Sequence, residues 1–167
     1  AREIVSSILP EFQELGRTVF PRPNSLDTGL LERDLASVIG PYIQGVTVGK
    51  INSAWDVDQV VSIVWRLEGK AGLPAGHIKI IPWIESAEAI VNAYEICASS
   101  PRVCAVAFGA EDFTNDMEIE RTDKGIELDY PRRVISIAAR AAGVIALDTP
   151  YVNFRDPEGH RLDINCA

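Results

Sequence analysis

Residues 78–112 decide how the rest of the chain is read. The segment begins with the apolar run IKIIPWIE at residues 78–85, which ends in an acid. A helical pattern follows over residues 87–97, and then a second apolar run, VCAVAF, at residues 103–108. That run leads directly into GAED at residues 109–112. Two short apolar runs separated by one helix predict a strand, a helix and a second strand parallel to the first, both strands being buried on both faces.

Both apolar runs end in acidic residues, Glu85 and Asp112. Because parallel strands point the same way, these two carboxylates are expected side by side at the ligand-binding rim. Adjacent carboxylates repel each other unless positive charge lies between them. Mg²⁺ favours one or two carboxylates, several waters and an anionic substrate. The alternative is that each acid pairs with an arginine or lysine, or caps the next helix, and the residues alone leave both interpretations open.

Length and composition predict one soluble globular domain over residues 1–167. The chain is 47% hydrophobic and 24% charged, which is an ordinary balance for that class. No apolar run is long enough to cross a membrane and the first residues carry no signal-peptide pattern, so no membrane partner is expected. The net charge of −8 argues against a nucleic-acid partner. An anionic substrate would therefore need local positive charge in its site.

The cysteines and histidines do not form a recognisable metal or catalytic motif. Cys97, Cys104 and Cys166 are odd in number and no Cys-x-x-Cys occurs, so neither a disulfide framework nor a zinc site is expected. Cys97 and Cys104 fall at apolar positions and are typical of a reduced, intracellular protein. His77 and His160 are too few for a multi-histidine site. The composition suits a cytoplasmic protein, with the mitochondrial matrix as the alternative.

The central segment belongs to a longer series of repeats. Apolar runs predict strands near residues 18, 45, 78, 103 and 144, with helices between them. Such a series predicts an α/β fold of parallel βα repeats. A (β/α)₈ barrel takes roughly 250 residues, so the chain is either an open parallel sheet or part of a barrel.

Local signals set several helix boundaries. A helix is predicted over residues 2–15, with Pro10 as a point where it kinks or breaks, and another over residues 26–39. Ser53 followed by Asp56 is a variant of the capping box and predicts the start of a strong helix. Pro131 and Gly143 are well placed to open and close a later helix.

Two polar segments give weaker signals. Residues 113–129 are charged and show no clear period, which favours a loop with a short helix. Asp116 and Asp123 lie in that segment and are interpreted as solvated loop acids rather than metal ligands. Residues 155–167 are charged and weakly patterned, so no regular element is predicted for them.

Arg22 follows the first predicted strand, in the sequence PRPN at residues 21–24. Two prolines end regular strand pairing, which places the arginine at another strand carboxyl end. One interpretation is an ordinary surface arginine. The functional interpretation is a bidentate clamp for a substrate carboxylate, which guanidinium geometry suits.

Four short motifs together resemble a known family. They are RPNSLDT at 22–28, IESA at 84–87, FGAED at 108–112 and DTPY at 148–151. In this order and spacing, the chain resembles the β subunit of citrate lyase and its relatives in the HpcH/HpaI aldolase group, which includes citramalyl-CoA and malyl-CoA lyases. Each motif is weak alone, and the resemblance runs from about residue 1 to residue 159.

The resemblance implies a fold and a set of site residues. The family fold is a (β/α)₈ TIM barrel, usually a homotrimer or larger assembly such as a hexamer, of which this chain would lack the first two strands and the last. Glu85 and Asp112 would be the two Mg²⁺ ligands. Arg22 would bind the carboxylate or oxo oxygen of a 2-oxo or hydroxy acid, and the backbone at Gly109 and Ala110 would lie close to that ligand.

The resemblance also implies an activity, a Mg²⁺-dependent carbon–carbon lyase. Its substrate would be a 3-hydroxy acyl thioester such as citryl-, citramalyl- or malyl-CoA, or the acyl-carrier-protein equivalent. Cleavage would give a 2-oxo acid or an acetyl thioester. A class II pyruvate aldolase of the same superfamily, or a truncated and non-catalytic oligomerisation module, are the alternatives.

Some residues depart from the family pattern or carry no assigned role. Pro21 stands where an apolar strand residue is usual, and Gly49 stands where a proline is common, but neither change removes a ligand. Lys50 matches a family lysine of uncertain role, and no residue is assigned as the catalytic base. Because two sheet edges would be open, the isolated chain is expected to oligomerise or aggregate.

Overall fold

The computed structural model describes residues 1–122 and 125–166, and this part of the chain forms an α/β fold around a parallel sheet. Its strands lie in the order β1-β2-β3-β4, so each pairs with the next along the chain. They are β1 (Gly45–Val48), β2 (Lys79–Ile84), β3 (Ala105–Phe108) and β4 (Ile145–Leu147). The predicted α/β class of parallel βα repeats is confirmed.

Helices alternate with the strands. They are α1 (Arg2–Glu14), α2 (Leu31–Val38), α3 (Ala54–Ala71), α4 (Ala87–Val91), α5 (Ala93–Ala98), α6 (Ala110–Asp116), α7 (Asp129–Ala142) and α8 (Pro157–Cys166). Short 3-10 turns occupy Leu26–Thr28 and Ile126–Leu128. Within the described residues, none of these helices has the length and apolar character needed to cross a membrane.

The strand predicted near residue 18 is wrong. Residues 18–20 run beside β1, but they form no strand. The carbonyl of Val19 accepts from the Gln44 N–H at 3.2 Å, and the carbonyl of Pro21 accepts from the Thr47 N–H at 3.0 Å. Since proline has no N–H, Pro21 cannot return a hydrogen bond and the ladder stops there.

Two predicted helices are each divided. The helix predicted over residues 26–39 becomes the 3-10 turn and then α2, because Gly29 between them adopts a left-handed φ of 66°. The helix predicted over residues 87–97 splits into α4 and α5 at Asn92. There the Asn92 side chain donates from Nδ2 to the Asn52 carbonyl at 2.9 Å, which ties the junction to the loop after β1.

The chain ends are more regular than predicted. Helix α1 continues through Pro10 to Glu14, so the helix does not break at Pro10. Leu9 is buried and holds the helix against the core while the proline removes one backbone hydrogen bond. The tail forms α8, which begins where Asp156 accepts from the Gly159 N–H at 2.9 Å. An aspartate before a proline is a helix-start signal that the charge pattern obscured.

The sheet is buried unevenly. All four residues of β3 are buried, as predicted for a parallel strand. Burial alternates along β2, where Ile80 and Ile84 lie in the core while Ile81 is only partly buried, so the prediction of two buried faces is wrong for that strand. In β4 every residue is exposed, Ile145 by 64%. The β4 edge of the sheet therefore remains open to contact.

A buried ion pair anchors the start of β2. Arg102 and Glu68 form two hydrogen bonds, of 2.6 and 2.7 Å, and both side chains are almost fully enclosed. The Glu68 carboxylate also accepts from the Ile78 N–H at 2.7 Å, and Arg102 donates to the Ile78 carbonyl at 3.0 Å. Helix α3 is thus joined through charged groups to the residue that precedes β2.

Candidate active site

Glu85 is the buried acid at the carboxyl end of β2. It directly follows Ile84, and only 5% of it is exposed. Its Oε2 accepts from the backbone N–H of Lys50 at 2.8 Å, and its Oε1 accepts from Nη2 of Arg22 at 3.3 Å. The carboxylate therefore lies between the loop after β1 and the arginine that precedes that strand.

Asp112 lies close enough to Glu85 to act on it electrostatically. It sits in the first turn of α6, just after β3, and is exposed. Burial raises the pKa of Glu85, and the charge of Asp112 acts in the same direction. The Lys50 N–H and Arg22 oppose the rise without cancelling it. The structure thus brings both predicted ligands and Arg22 to one rim of the sheet.

Two glycines form the walls beside the Glu85 carboxylate. A Cβ added at Gly109 would lie 2.8 Å from Cδ of Glu85 and 2.5 Å from its Cγ. A Cβ at Gly49 would lie 3.0 Å from both Oε2 of Glu85 and Nη2 of Arg22. Any side chain at Gly109 would displace the acid, so the absence of a Cβ there shapes the site.

Arg22 is held by contacts on both sides. Its guanidinium carbon stacks over the Trp83 ring, 4.4 Å from the ring centroid, and Trp83 donates a hydrogen bond to Thr47. The loop that carries the arginine is tied down through Asp34, which accepts from the backbone N–H of Asn24 at 2.9 Å and from its side chain at 2.6 Å. The Arg22 side chain remains 47% exposed and can still meet a ligand.

The backbone at Gly109 and Ala110 is fixed by internal hydrogen bonds. The Gly109 N–H donates to the Ile84 carbonyl at 3.0 Å, and the Ala110 N–H donates to Oγ1 of Thr149 at 3.2 Å. Thr149 belongs to the DTPY motif, so two of the motifs meet at this point. A ligand near Gly109 and Ala110 would thus meet a firmly held stretch of backbone whose N–H groups already have acceptors.

Residues that sequence reasoning missed connect the loops after β1 and β2. Asn52 accepts from Oγ of Ser86 at 2.6 Å, and Ser86 in turn caps α4 by accepting from the Ala89 N–H at 3.1 Å. Asp116, interpreted from sequence as a solvated acid, accepts from the Ala87 N–H at 2.8 Å. A serine before a helical pattern is a capping signal, but the cross-loop partners carry no sequence signal.

A model of the HpcH/HpaI aldolase/citrate lyase family matches residues 1–164. The chain belongs to this family. It is 36% identical over 159 residues to the citrate lyase subunit beta of Leuconostoc mesenteroides subsp. cremoris, which covers 95% of this chain and 53% of that protein. It is 30% identical to an L-malyl-CoA/beta-methylmalyl-CoA lyase of Cereibacter sphaeroides, over 84% of this chain and 50% of the relative. The chain thus spans about half the length of these relatives.

Solved structures share the fold of this HpcH/HpaI family member. The Haloferax volcanii malate synthase pyruvate/acetyl-CoA ternary complex superposes with a TM-score of 0.88 at 23% identity, over 99% of this chain and 49% of that one. The citrate lyase beta subunit from M. tuberculosis, complexed with oxaloacetate and magnesium, gives 0.66 at 24% identity, over 85% of this chain and 59% of that one. The chain therefore has the α/β repeats of these larger chains, in keeping with the predicted part of a barrel.

The cysteine and histidine side chains discussed next, Cys97 and His160, are not part of the site around Glu85. Burial raises the pKa of the Cys97 thiol to about 11, which disfavours a reactive thiolate. His160 stacks on Tyr151 beside α8, with ring centroids 5.5 Å apart. The predicted loop acid Asp123 lies outside the described residues.

Proposed function

We propose that this chain supplies the metal and carboxylate site of a Mg²⁺-dependent carbon–carbon lyase. The proposal rests on three side chains that lie together at the carboxyl end of the strands. Glu85 is buried, the charge of Asp112 acts on it, and the guanidinium of Arg22 donates a hydrogen bond to it. The substrate class we infer is a 3-hydroxy acyl thioester of CoA or an acyl carrier protein. Cleavage would release a 2-oxo acid and an acetyl thioester together.

The donor set at the rim fits Mg²⁺. Among residues 1–122 and 125–166 no group of three or more histidine, cysteine or acidic side chains is arranged to hold a metal. Two carboxylates completed by water and by substrate oxygens are the arrangement that Mg²⁺ favours. We assign Glu85 and Asp112 as these ligands. The ion would polarise the carbonyl or hydroxyl oxygen at the reacting carbon.

Arg22 is assigned to the substrate carboxylate. Its side chain is half exposed, stacked on Trp83 and directed at the same rim as both acids. The guanidinium would bind a carboxylate through charge-assisted hydrogen bonds and offset the negative field of the chain. Gly109 and Ala110 would allow the ligand to approach the backbone closely. We assign no base for the hydroxyl proton.

Relatives support this choice of substrate. The M. tuberculosis structure is a complex with oxaloacetate and magnesium, and the malate synthase structure is a complex with pyruvate and acetyl-CoA. We infer a 2-oxo or hydroxy acid as one half of the substrate and a thioester as the other. We also infer a homo-oligomer, a trimer or hexamer, working in the cytoplasm or, as the alternative, in a mitochondrial matrix.

The test is a thioester cleavage assay with citryl-, citramalyl- and malyl-CoA. We expect Mg²⁺-dependent cleavage of at least one, abolished by a chelator and restored by added Mg²⁺. Arg22→Gln should lower kcat/KM by about 10²- to 10³-fold, because it removes a preorganised positive charge. Arg66→Gln is the matched control, since Arg66 pairs with Glu32 on the surface at 3.1 Å, and should keep full activity.

Three results would contradict the proposal. Cleavage that continues in the presence of the chelator would show that the reaction does not require a metal. Equal activity of the Arg22→Gln and Arg66→Gln variants would show that Arg22 does not bind the substrate carboxylate. Metal-dependent condensation of pyruvate with an aldehyde, without thioester cleavage, would favour the class II aldolase instead.

A further inference from the structure

We propose that Lys50 is a positioning residue that orients Glu85 through its backbone N–H and not through its ammonium group. The consequence for metal binding rests on the proposed function. The orientation itself is a property of this chain alone and can be measured without metal.

The backbone of Lys50 has an uncommon conformation. Its φ is +56°, and among the described non-glycine residues only Glu118 shares a positive φ. Left-handed backbone is unfavourable for a residue with a Cβ and tends to persist where surrounding structure enforces it. In this conformation the Lys50 N–H points at Oε2 of Glu85, at 2.8 Å. The unfavourable turn and the hydrogen bond to the buried acid therefore occur at the same residue.

The residues after Lys50 hold this turn in place. The Ile51 N–H donates to the Trp83 carbonyl at 3.3 Å, which fixes the loop to the end of β2. Asn52 receives hydrogen bonds from Ser86 at 2.6 Å and from Asn92 at 2.9 Å. The loop is therefore bound to two neighbouring segments, and the left-handed conformation of Lys50 is the one that satisfies these contacts.

The ammonium group of Lys50 has a much weaker contact. Its Nζ lies 3.8 Å from Oδ2 of Asp27, and the two side chains are 56% and 62% exposed. Exposed ion pairs of this kind contribute little to stability because water and salt screen them. The charge of Lys50 is therefore a poor candidate for the feature that holds Glu85.

The Lys50 N–H completes the confinement of the carboxylate. Oε2 is held by that N–H, Oε1 accepts from Arg22, and the carboxylate fills space that a Cβ at Gly49 or Gly109 would enter. A ligand whose orientation is fixed before the metal arrives binds with less loss of conformational freedom. Loosening the turn should therefore weaken Mg²⁺ binding without removing any ligand atom.

The experiment compares Lys50→Gly, Lys50→Asn and Lys50→Val in the full chain. Glycine and asparagine tolerate positive φ, whereas the β-branched valine resists it, and all three lack the ammonium group. Hydrogen exchange of the residue 50 amide, measured without metal, reports the hydrogen bond to Glu85. Calorimetric titration with MgCl₂ reports its consequence. Lys70→Val, in the exposed part of helix α3, is the control for the same substitution at ordinary φ.

We expect Lys50→Gly and Lys50→Asn to retain both the wild-type amide protection and the wild-type Mg²⁺ affinity. Lys50→Val should lose roughly 5- to 30-fold in both relative to Lys50→Gly, which corresponds to the usual penalty of left-handed backbone. Glu85→Ala, which removes the acceptor, should also expose the residue 50 amide. Lys70→Val should change neither quantity.

Equal losses in Lys50→Gly and Lys50→Val would overturn the inference and assign the role to the ammonium group. Full amide protection in Lys50→Val would also overturn it. If Lys50→Val does not fold, Lys50→Ala replaces it, with the same direction and a smaller loss. The expected amide pattern in a chain that binds no Mg²⁺ would support the positioning role while contradicting the proposed metal site.

Discussion

Glu85 combines features that a structural surface acid does not need. It is buried, its pKa is raised above the ordinary value mainly by that burial, and a second carboxylate lies nearby. Its partners, the Lys50 N–H and Arg22, offset this cost only in part. A buried acid with a perturbed pKa beside a cationic side chain is typical of a functional site.

Gly109→Ala should disturb this acid directly. The added methyl group would lie 2.5 Å from Cγ of Glu85, in backbone that is held by Ile84 and Thr149. We expect the free energy of unfolding to fall by about 1–3 kcal/mol, as for other overpacked sites, and Mg²⁺ binding to weaken with it. Urea unfolding checks the stability.

The matched control is Gly69→Ala. Gly69 lies within helix α3 and a Cβ there meets nothing within 4 Å, so alanine should leave stability unchanged or raise it by up to about 1 kcal/mol. If Gly109→Ala proves as stable as Gly69→Ala, the close packing around Glu85 is not a constraint.

For single residues, the sequence predicts where the site residues lie better than it predicts their hydrogen-bond partners. Glu85 and Asp112 could be placed together because both follow apolar runs that end at one rim. Arg22 lies beside Glu85 although its predicted strand is absent, since the extended segment still runs beside β1. The hydrogen bonds that Lys50 and Thr149 make to the site could not be predicted, because they depend on how separate loops meet.

At the scale of the elements, the start of β2 is held by a buried ion pair. Arg102→Leu would leave Glu68 enclosed without its cationic partner, and removing one partner of a buried pair typically costs about 3–5 kcal/mol. Thermal or urea unfolding measures this loss. Arg66→Gln breaks an exposed pair and should cost less than about 1 kcal/mol. Equal costs for the two variants would contradict the anchoring role.

The same pair gives a pH dependence with a definite sign. Burial alone would raise the pKa of Glu68, but hydrogen bonds from Arg102 and from the N–H groups of Ile78 and Gly76 outweigh it and leave the pKa lowered. The stabilisation is therefore complete above the ordinary value of 4.5 and is lost as the pH falls through the lowered pKa. Glu68→Gln should flatten this acid limb of the stability curve. An unchanged limb would show that other carboxylates set it.

Helix boundaries could be predicted where a local capping residue or a glycine sets them. Ser53 and Asp56 form the reciprocal capping box that begins α3, and Gly143 ends α7 with a left-handed φ of 74°. Boundaries set by distant partners were not predictable. The junction at Asn92 is tied to Asn52, forty residues earlier in the chain, and no local pattern announces it.

For the whole molecule, the exposed β4 edge of the sheet is the feature with the clearest consequence. Ile145 and Leu147 of β4 are 64% and 41% exposed, and Phe154 beyond them is 84% exposed. Exposed apolar strands at a sheet edge favour association. We expect the chain to self-associate in size-exclusion chromatography with light scattering. The double variant Ile145→Lys, Leu147→Lys should reduce that association, and a monodisperse, cooperatively unfolding wild-type monomer would contradict it.

The α/β fold class could be predicted because it follows from apolar periodicity. The exposure of the last strand could not be predicted. The repeats after residue 45 alternate strand and helix as expected, and they match the fold of larger solved structures. The strand predicted near residue 18 does not form, because Pro21 has no N–H and the Val19 N–H donates to the side chain of Gln44. The exposure of β4 depends on what packs against it, which the pattern of its own residues does not contain.

The most direct test of the central claim is calorimetric titration of Mg²⁺ in the presence of oxaloacetate or pyruvate. Wild type should bind the ion saturably, while Glu85→Gln and Asp112→Asn should each abolish the signal. Glu88→Gln, at an exposed position in α4, should bind as wild type. A folded wild-type chain that gives no metal-dependent heat, or carboxamide variants that bind as tightly as wild type, would contradict the assignment of these two carboxylates as the metal site.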